Sequence, residues 1–219
     1  MGIYDLTSNG QKGIISSIDY NQQQTLVACG AYDGSLGLYD AGFRSVGFVP
    51  KGHHTGGVTQ VMFSRCGFYL YSGARKCGSI HCWDIRFTKQ KPVYSLQRPL
   101  VQGTNQKIEF DIEPLGRHLF TGNGGNVLCY DLVDGSEVAN FKVADDAING
   151  LSINSLWPVI ATASGERRYP SFSDDEDEGG KAKEKESKEY NCMKLWKPGT
   201  PYPLLPCPGV EDKSSQSTL

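Results

Sequence analysis

The chain has 219 residues, of which 38% are hydrophobic and 11% aromatic, enough for one ordinary core or two small ones. Its formal net charge of −2 excludes a global basic field, so a nucleic-acid site would have to be a local patch. No apolar run reaches the roughly 18 residues of a membrane helix, and the opening MGIYDLTSNGQKG lacks the order of a signal peptide. These features predict a protein of the cytosol or nucleus.

The seven cysteines are odd in number, are scattered along the chain and never form a Cys-x-x-Cys pair. They predict reduced intracellular thiols rather than a disulfide framework. The positions are Cys29, Cys66, Cys77, Cys82, Cys129, Cys192 and Cys207.

A dipeptide of Tyr or Trp followed by Asp closes an alternating run at regular intervals. It stands at Tyr4-Asp5, Tyr39-Asp40, Trp83-Asp84 and Tyr130-Asp131, and Trp196-Lys197 closes a degenerate copy. The intervals are 35, 44, 47 and 66 residues, and the last becomes 44 once the polar insert 169–190 is left out. A period of about 44 residues is typical of a propeller blade with four short strands.

Each unit contains short runs of apolar and β-branched residues that are separated by Asn, Asp or Gly turns. The predicted strands are 14–20, 25–31, 35–40 and 45–50 in the first unit, and 57–63, 68–74, 79–85 and 92–97 in the second. The third unit has 107–112, 118–122, 126–132 and 137–143, and the fourth has 148–154, 158–164 and 192–197. Helical periodicity is essentially absent, so the sequence predicts an all-β propeller with about four blades.

The segments CGAYDGSLGLYD and SGARKCGSIHCWD, with GHH at 52–54 ahead of the second, resemble the WD-repeat family. The resemblance implies a hydrogen-bonded brace within each blade, made of a Trp, a Ser or Thr, a His and an Asp. Its implied members are Trp83, Ser72 and His53 or His54, of which we take His53, with Asp33 in the preceding blade. Cys77 stands where the brace would have Asp, and Tyr replaces Trp at two closing positions. We therefore expect weakened braces but preserved aromatic burial.

Longer motifs resemble the C-terminal half of the telomerase Cajal body proteins, a group within the WD-repeat family. They are GQKGIIS, ACGAYDGSLGLYD, GGVTQVMF, SGARK followed by CWDIR, TNQKIEFDI and IATASGERRYP, over about residues 10–170. The resemblance implies a non-enzymatic scaffold without a cofactor. Such a scaffold would bind telomerase RNA and other box H/ACA RNAs of Cajal bodies through their CAB box, together with box H/ACA ribonucleoprotein proteins. The implied location is the nucleus, in Cajal bodies, with the cytoplasm as a further site.

The resemblance also raises a question of completeness. WD-repeat rings usually have seven blades, whereas this chain opens on GIYDL, the end of a third strand, and four repeats follow. We expect residues 1–200 to form part of a seven-bladed ring whose open strand edges can associate. Two alternatives stay open: a WD-repeat adaptor that binds only proteins, and a truncated chain without function.

The loops between second and third strands, and those that lead into the next blade, emerge on one face of a propeller. They carry an RNA-binding set predicted from all four repeats: Arg75, Lys76, Lys51, His54, Arg98, Gln106, Lys107, Arg167 and Arg168, with Lys12 and His53 beside them. Arg offers a planar fork for phosphates and guanine edges, both of which single-stranded RNA exposes. The alternative is that these charges are simply solvated loop residues.

Other chemistry is not favoured by the sequence. The group Cys66, Cys77, His81 and Cys82 matches no usual zinc spacing, and GNGGN at 122–126 lacks the Lys and Ser or Thr of a phosphate loop, so it predicts a turn. We predict no metal site and no catalytic set.

The insert 169–190 runs from acidic to mixed charge with almost no apolar residue and predicts disorder. Ser171 and Ser173 are candidate sites for acidophilic kinases, and residues 201–219 predict a flexible tail.

Overall fold

The computed structural model describes residues 11–42, 44–49, 51–87, 91–99, 105–165 and 191–197. The predicted insert, the tail, the opening GIYDL, Arg167, Arg168, Ser171 and Ser173 lie outside these residues. Among the described residues no helix is long and apolar enough to cross a membrane.

The described residues form four antiparallel sheets in chain order, each a blade of a β-propeller. The first blade contains β1 (Ile15–Asn21), β2 (Leu26–Ala31), β3 (Leu36–Tyr39) and β4 (Ser45–Val49). The second contains β5 (Val58–Phe63), β6 (Tyr69–Ala74), β7 (Ser79–Asp84) and β8 (Tyr94–Gln97). The third contains β9 (Phe110–Ile112), β10 (His118–Asn123), β11 (Asn126–Asp131) and β12 (Glu137–Lys142). The fourth contains β13 (Ile148–Ile153), β14 (Ile160–Ser164) and β15 (Cys192–Trp196).

The all-β propeller prediction is confirmed, and each of the fifteen strands predicted between residues 14 and 197 is present, whereas the strand end predicted at GIYDL lies outside the described residues. The largest difference is β9, which is three residues long where 107–112 was expected. The backbone N–H of Glu109 donates to the carbonyl of Asn149 in the fourth blade instead of pairing with β10. The expected turn at GNGGN is also present, because Asn123 pairs with Asn126 and leaves Gly124 and Gly125 as the turn. A Cβ on Gly125 would lie 2.1 Å from the carbonyl oxygen of Ala144, so only glycine fits there.

The first strands of successive blades are joined by side chains that bond the backbone of the neighbouring strand. The N–H of Phe63 donates to Asp19 at 2.7 Å, and that of Ile153 donates to Asp111 at 2.8 Å. Gln60 bonds both the carbonyl and the N–H of Phe110, at 2.7 and 3.0 Å. These bonds satisfy backbone groups that a free sheet edge would leave unpaired.

Three apolar clusters lie between the blades. The first and second blades bury Val58 and Trp83 together, the second and third bury Ile80 and Phe110, and the third and fourth bury Val127. The core therefore runs around the propeller from sheet to sheet, and the loops are left on its two outer faces.

Candidate nucleic-acid interface

Two sets of loops define the two faces. The rim face consists of the loops that join second to third strands and those that lead into the next blade. Its loops contact one another: the hydroxyl of Thr55 donates to the carbonyl of Lys76 at 2.5 Å, and the N–H of Arg75 donates to that of Gly57 at 3.0 Å. The remaining loops form the opposite face, where Gln23 bonds the carbonyl of Arg65.

Below the rim of the second blade lies the brace. The indole of Trp83 donates to the hydroxyl of Ser72 at 2.8 Å, and the same oxygen lies 2.8 Å from Nε2 of His54. His54 therefore takes the place expected of His53, because the residue four positions before the first strand turns inward. His53 instead lies edge-on to Trp83, with 5.2 Å between ring centroids.

The Asp position of the brace differs between the first two blades. In the first blade Asp33 accepts from the N–H and hydroxyl of Ser35, at 3.0 and 2.6 Å. Ser35 also accepts from the side chain of Gln11, which occupies the position of His54. In the second blade Cys77 occupies the corresponding position, with its sulfur 3.4 Å from Nδ1 of His54.

Two members of the predicted RNA-binding set are corrected by their burial. His54 belongs to the brace and is buried. Arg98 is only 4% exposed, and its guanidinium donates to the carbonyls of Ala74 at 3.4 Å and Ile108 at 3.3 Å. Neither side chain can reach a ligand on the rim. Both lie in loops by sequence, and only the packing of the next blade over the loop buries them.

The other described members of the set lie on the rim, and they differ in exposure and in whether their side chains are bonded to other residues. Lys51 and Lys76 are exposed, and no ion pair of the described chain includes either residue. Lys107 is exposed but pairs with Glu109 at 2.9 Å. Gln106 is half-buried and accepts from Asn149 at 3.0 Å. The rim therefore holds two exposed lysines in the second blade and more constrained groups at the third.

Arg75 has a structural role as well as a place on the rim. Its side chain is half-buried, and its guanidinium donates to the carbonyl of Asn105 in the segment that enters the third blade. Lys76 follows in the left-handed region, with φ of 52°. The turn that points Lys76 outward thus holds Arg75 against the neighbouring loop.

Tyr32 is a rim residue that the sequence analysis missed. It lies between β2 and β3 and is 51% exposed. Its ring packs against Gly57, where a Cβ would lie 2.9 Å from the ring atom Cδ1. The signal available in the sequence was an aromatic residue within the polar turn AYDGS. An exposed ring close to the Arg75 loop is a surface on which a base can stack.

On the opposite face, the aspartates that close the third strands are paired with arginines. Asp40 binds Arg44 at 2.9 Å, Asp84 binds Arg86 at 2.6 Å, and Asp131 binds Arg117 at 3.1 Å. Hydrogen bonds from Arg86 hold the pKa of Asp84 below its ordinary value.

The opposite face also carries exposed large apolar residues, namely Phe68, Phe87, Val93, Leu115, Val133 and Leu156.

Comparison with known proteins agrees with this architecture. A family model described as "WD domain, G-beta repeat" matches residues 3–40 and 45–84. The designed protein Ika4 has a TM-score of 0.57 at 16% identity and covers 91% of this chain and 100% of its own, which shows the fold alone.

Several curated relatives carry the name Telomerase Cajal body protein 1, among them the human and mouse proteins. The human protein is 40% identical over 178 residues, which is 78% of this chain and 32% of the relative. The Mus musculus protein is 35% identical over 224 residues, or 95% of this chain and 41% of the relative. The chain thus spans about a third of the length of these relatives. It belongs to the telomerase Cajal body protein family of WD-repeat β-propellers.

Proposed function

We propose that this chain is a non-enzymatic RNA-particle scaffold that binds telomerase RNA and other box H/ACA RNAs of Cajal bodies through their CAB box. The observation that carries the proposal is the identity of 35–40% with Telomerase Cajal body protein 1 over most of the chain. The name of these relatives supports a nuclear location in Cajal bodies and an association with telomerase. Box H/ACA ribonucleoprotein proteins as partners are a further part of the proposal.

The chemistry of the rim supports RNA as the ligand. The exposed ring of Tyr32 packs against Gly57, whose carbonyl accepts from the N–H of Arg75, so the loop of Arg75 and Lys76 brings positive charge close to this ring. Lys51 adds an exposed charge on the same rim face. Single-stranded RNA loops present phosphates for such cations and unstacked bases for such rings. The opposite face pairs Arg44, Arg86 and Arg117 with aspartates, so these three arginines are partly neutralised. We therefore assign the RNA to the rim face.

The charge test compares the two faces. In Lys51→Glu with Lys76→Glu, affinity for a box H/ACA RNA that carries a CAB box should fall while the unfolding midpoint is kept, because both side chains are solvated. The slope of log affinity against log salt should flatten by about 0.7 for each phosphate of single-stranded RNA that the variant no longer neutralises. Filter binding across a salt series measures both quantities.

The matched control for that test is Lys91→Glu with Lys197→Glu, which reverses two exposed charges on the opposite face, neither of them in an ion pair among the described residues. Binding of this variant should stay close to that of the natural chain. Equal losses from both variants would mean nonspecific electrostatics, and no loss from the rim variant would overturn the assignment.

The stacking test uses Tyr32→Ala. Loss of one stacked base costs about 1–3 kcal/mol of binding free energy, so the dissociation constant should rise by a factor on the order of 5–150. Tyr32→Phe should retain binding because it keeps the ring. Tyr20→Ala is the control, because Tyr20 is also 51% exposed but lies on β1 away from the rim loops. Equal binding by Tyr32→Ala and the natural chain would remove Tyr32 from the interface.

A further inference from the structure

The brace of the second blade holds a buried group of two histidines and a cysteine. Cys77 is 4% exposed, and its sulfur lies 3.4 Å from Nδ1 of His54 and 3.7 Å from the hydroxyl of Ser79. The ring of His81 lies against that of His54, with 4.5 Å between centroids. The ligand atoms of His54, Cys77 and His81 all lie within 4.8 Å of one another.

The direction of the hydrogen bonds follows from the donors available. An indole can only donate, so the oxygen of Ser72 accepts from Trp83 at 2.8 Å. The single hydroxyl proton of Ser72 is then directed at Nε2 of His54, also at 2.8 Å. Nδ1 of a neutral His54 must in turn carry the ring proton and donate it to the sulfur of Cys77. A carboxylate at this position would receive the same bond.

Arg98 supplies an independent reason for negative charge near Cys77. Its guanidinium is buried, and no ion pair among the described residues includes it. It donates to the carbonyl of Ala74, and its backbone N–H donates to that of Gly78 at 2.8 Å. Arg98 thus binds both ends of the short loop that contains Cys77. A buried guanidinium is costly without a counter-charge. Burial lowers the pKa of Arg98, and a negative charge on the sulfur of Cys77 opposes that shift.

We infer that Cys77 is held as a thiolate in the position of the brace carboxylate, and that it is a site of covalent modification by peroxides and carbon electrophiles. The titratable groups that face it are His54 from the loop before β5, His81 on β7 and Arg98 after β8. Burial alone raises the pKa of Cys77, but hydrogen bonding, first of all from His54, outweighs it and lowers the pKa to about 4. Burial also lowers the pKa of His54, which favours the neutral donor described above.

The reaction with peroxide is a displacement at oxygen. The thiolate of Cys77 attacks one peroxide oxygen, the O–O bond breaks, and the sulfur becomes a sulfenic acid. The hydroxide that leaves takes a proton from solvent. His54 then loses its anionic acceptor, so the reaction weakens the hold of the brace on the loop that carries Arg75 and Lys76.

The first experiment measures the ionisation directly. The ultraviolet absorbance of thiolate is followed from about pH 3 to pH 9 for the natural chain and for Cys77→Ser, and the difference reports Cys77 alone. A difference with its midpoint near pH 4 supports the proposal, because an unperturbed thiol titrates near about 8.5. A midpoint near that ordinary value overturns it. Zinc that co-purifies at one equivalent and is absent from Cys77→Ser also overturns it, since the sulfur would then be a metal ligand.

The second experiment measures reactivity at about pH 6 with hydrogen peroxide and, separately, iodoacetamide, and locates the adduct by mass spectrometry. Cys77 should be labelled at least about tenfold faster than Cys82, whose burial raises its pKa to about 11. Equal labelling of the two buried cysteines would overturn the modification site even if the thiolate were present.

The third experiment asks whether a carboxylate can replace the sulfur. Cys77→Asp should keep the melting temperature at pH 8, and Cys77→Ser should lower it. Because the folded pKa lies below the unfolded one, the stabilisation is complete above about pH 8.5 and is lost as the pH falls toward about 4. The difference in melting temperature between the natural chain and Cys77→Ser should therefore increase as the pH rises from about 4 to about 8.5. A melting-temperature difference between the natural chain and Cys77→Ser that does not depend on pH would contradict a charged sulfur. Equal melting temperatures for Cys77→Asp and Cys77→Ser would also contradict it.

Discussion

The third strand has a tryptophan at or next to its end in two of the described blades and a tyrosine in the other two, and the two kinds of side chain make different hydrogen bonds. Trp83 donates to the hydroxyl of Ser72 at 2.8 Å, and Trp196 donates to the hydroxyl of Thr162 at 2.9 Å. Both hydroxyls lie on the second strand of the blade. Tyr130 donates to the carbonyl of Gln97, in the strand that precedes its blade. Tyr39, in the first blade, bonds Gln11 just before β1.

The difference shows that aromatic burial and hydrogen bonding are separable requirements at this position. Tyr39 and Tyr130 are both 2% exposed, as buried as Trp83 at 4%. Neither phenol bonds the second strand of its own blade: Tyr130 bonds Gln97 in the preceding strand, and Tyr39 bonds Gln11 in the segment that enters its blade. In the first blade the second strand has Cys29, rather than Ser or Thr, at this position. Burial raises the pKa of Tyr130 to about 12, which keeps the phenol protonated as a donor. The tyrosines therefore have different partners from the tryptophans, and the weakening of the tyrosine blades stays a prediction.

The largest expected effect is that of Trp83→Ala, which removes a buried indole from the interface between the first two blades. The free energy of unfolding should fall by about 3–5 kcal/mol in urea denaturation. Trp196→Ala should cost less, because Trp196 is only half-buried. RNA binding abolished in Trp83→Ala with an unchanged unfolding midpoint would contradict a structural role for this residue.

Ser72→Ala should have the next largest effect. The substitution leaves the indole N–H of Trp83 and Nε2 of His54 without their shared partner inside a buried site. The expected loss is about 1–3 kcal/mol, the usual cost of a buried unsatisfied polar group. Ser72→Thr serves as the control, since Thr162 makes the same bond in the fourth blade. A neutral Ser72→Ala would show that the brace does not stabilise the second blade.

Tyr130→Phe keeps the ring and removes one hydrogen bond, to the carbonyl of Gln97. We expect a loss of about 0.5–1.5 kcal/mol in the free energy of unfolding. A loss as large as that of Trp83→Ala would mean that the phenol bond, rather than burial, holds the third blade.

Tyr39→Phe should have the smallest effect of the series. Its contacts with the backbone N–H and side-chain oxygen of Gln11 are 3.3 and 3.4 Å long, at the weak end of the hydrogen-bond range. The expected change is below about 0.5 kcal/mol. The same urea series measures it, and a cost above that of Tyr130→Phe would reverse the order proposed for the two tyrosine blades.

The sequence by itself determined the number of blades and the position of nearly every strand. Short alternating runs and Gly, Asp or Asn turns are local signals, and each strand needs little more than its own pattern to be recognised. The repeated closing dipeptide also identified the aromatic positions that are buried at Tyr39, Trp83 and Tyr130 and half-buried at Trp196. Lys51 and Lys76 were found for the same reason, because an exposed loop lysine needs no distant partner.

The tertiary structure alone decided which of the remaining side chains belong to the rim. His53 and His54 are neighbours in sequence, and only the register of the strand that follows directs one of them toward Ser72. The sequence predicts Arg98 to be an exposed loop cation, yet the third blade covers it. Its guanidinium donates to the carbonyl of Ala74, next to the Cys77 loop, and to that of Ile108, just before β9. His54, Cys77 and His81 meet although they are separated along the chain. Contacts of this kind depend on how whole blades pack, which no local pattern encodes.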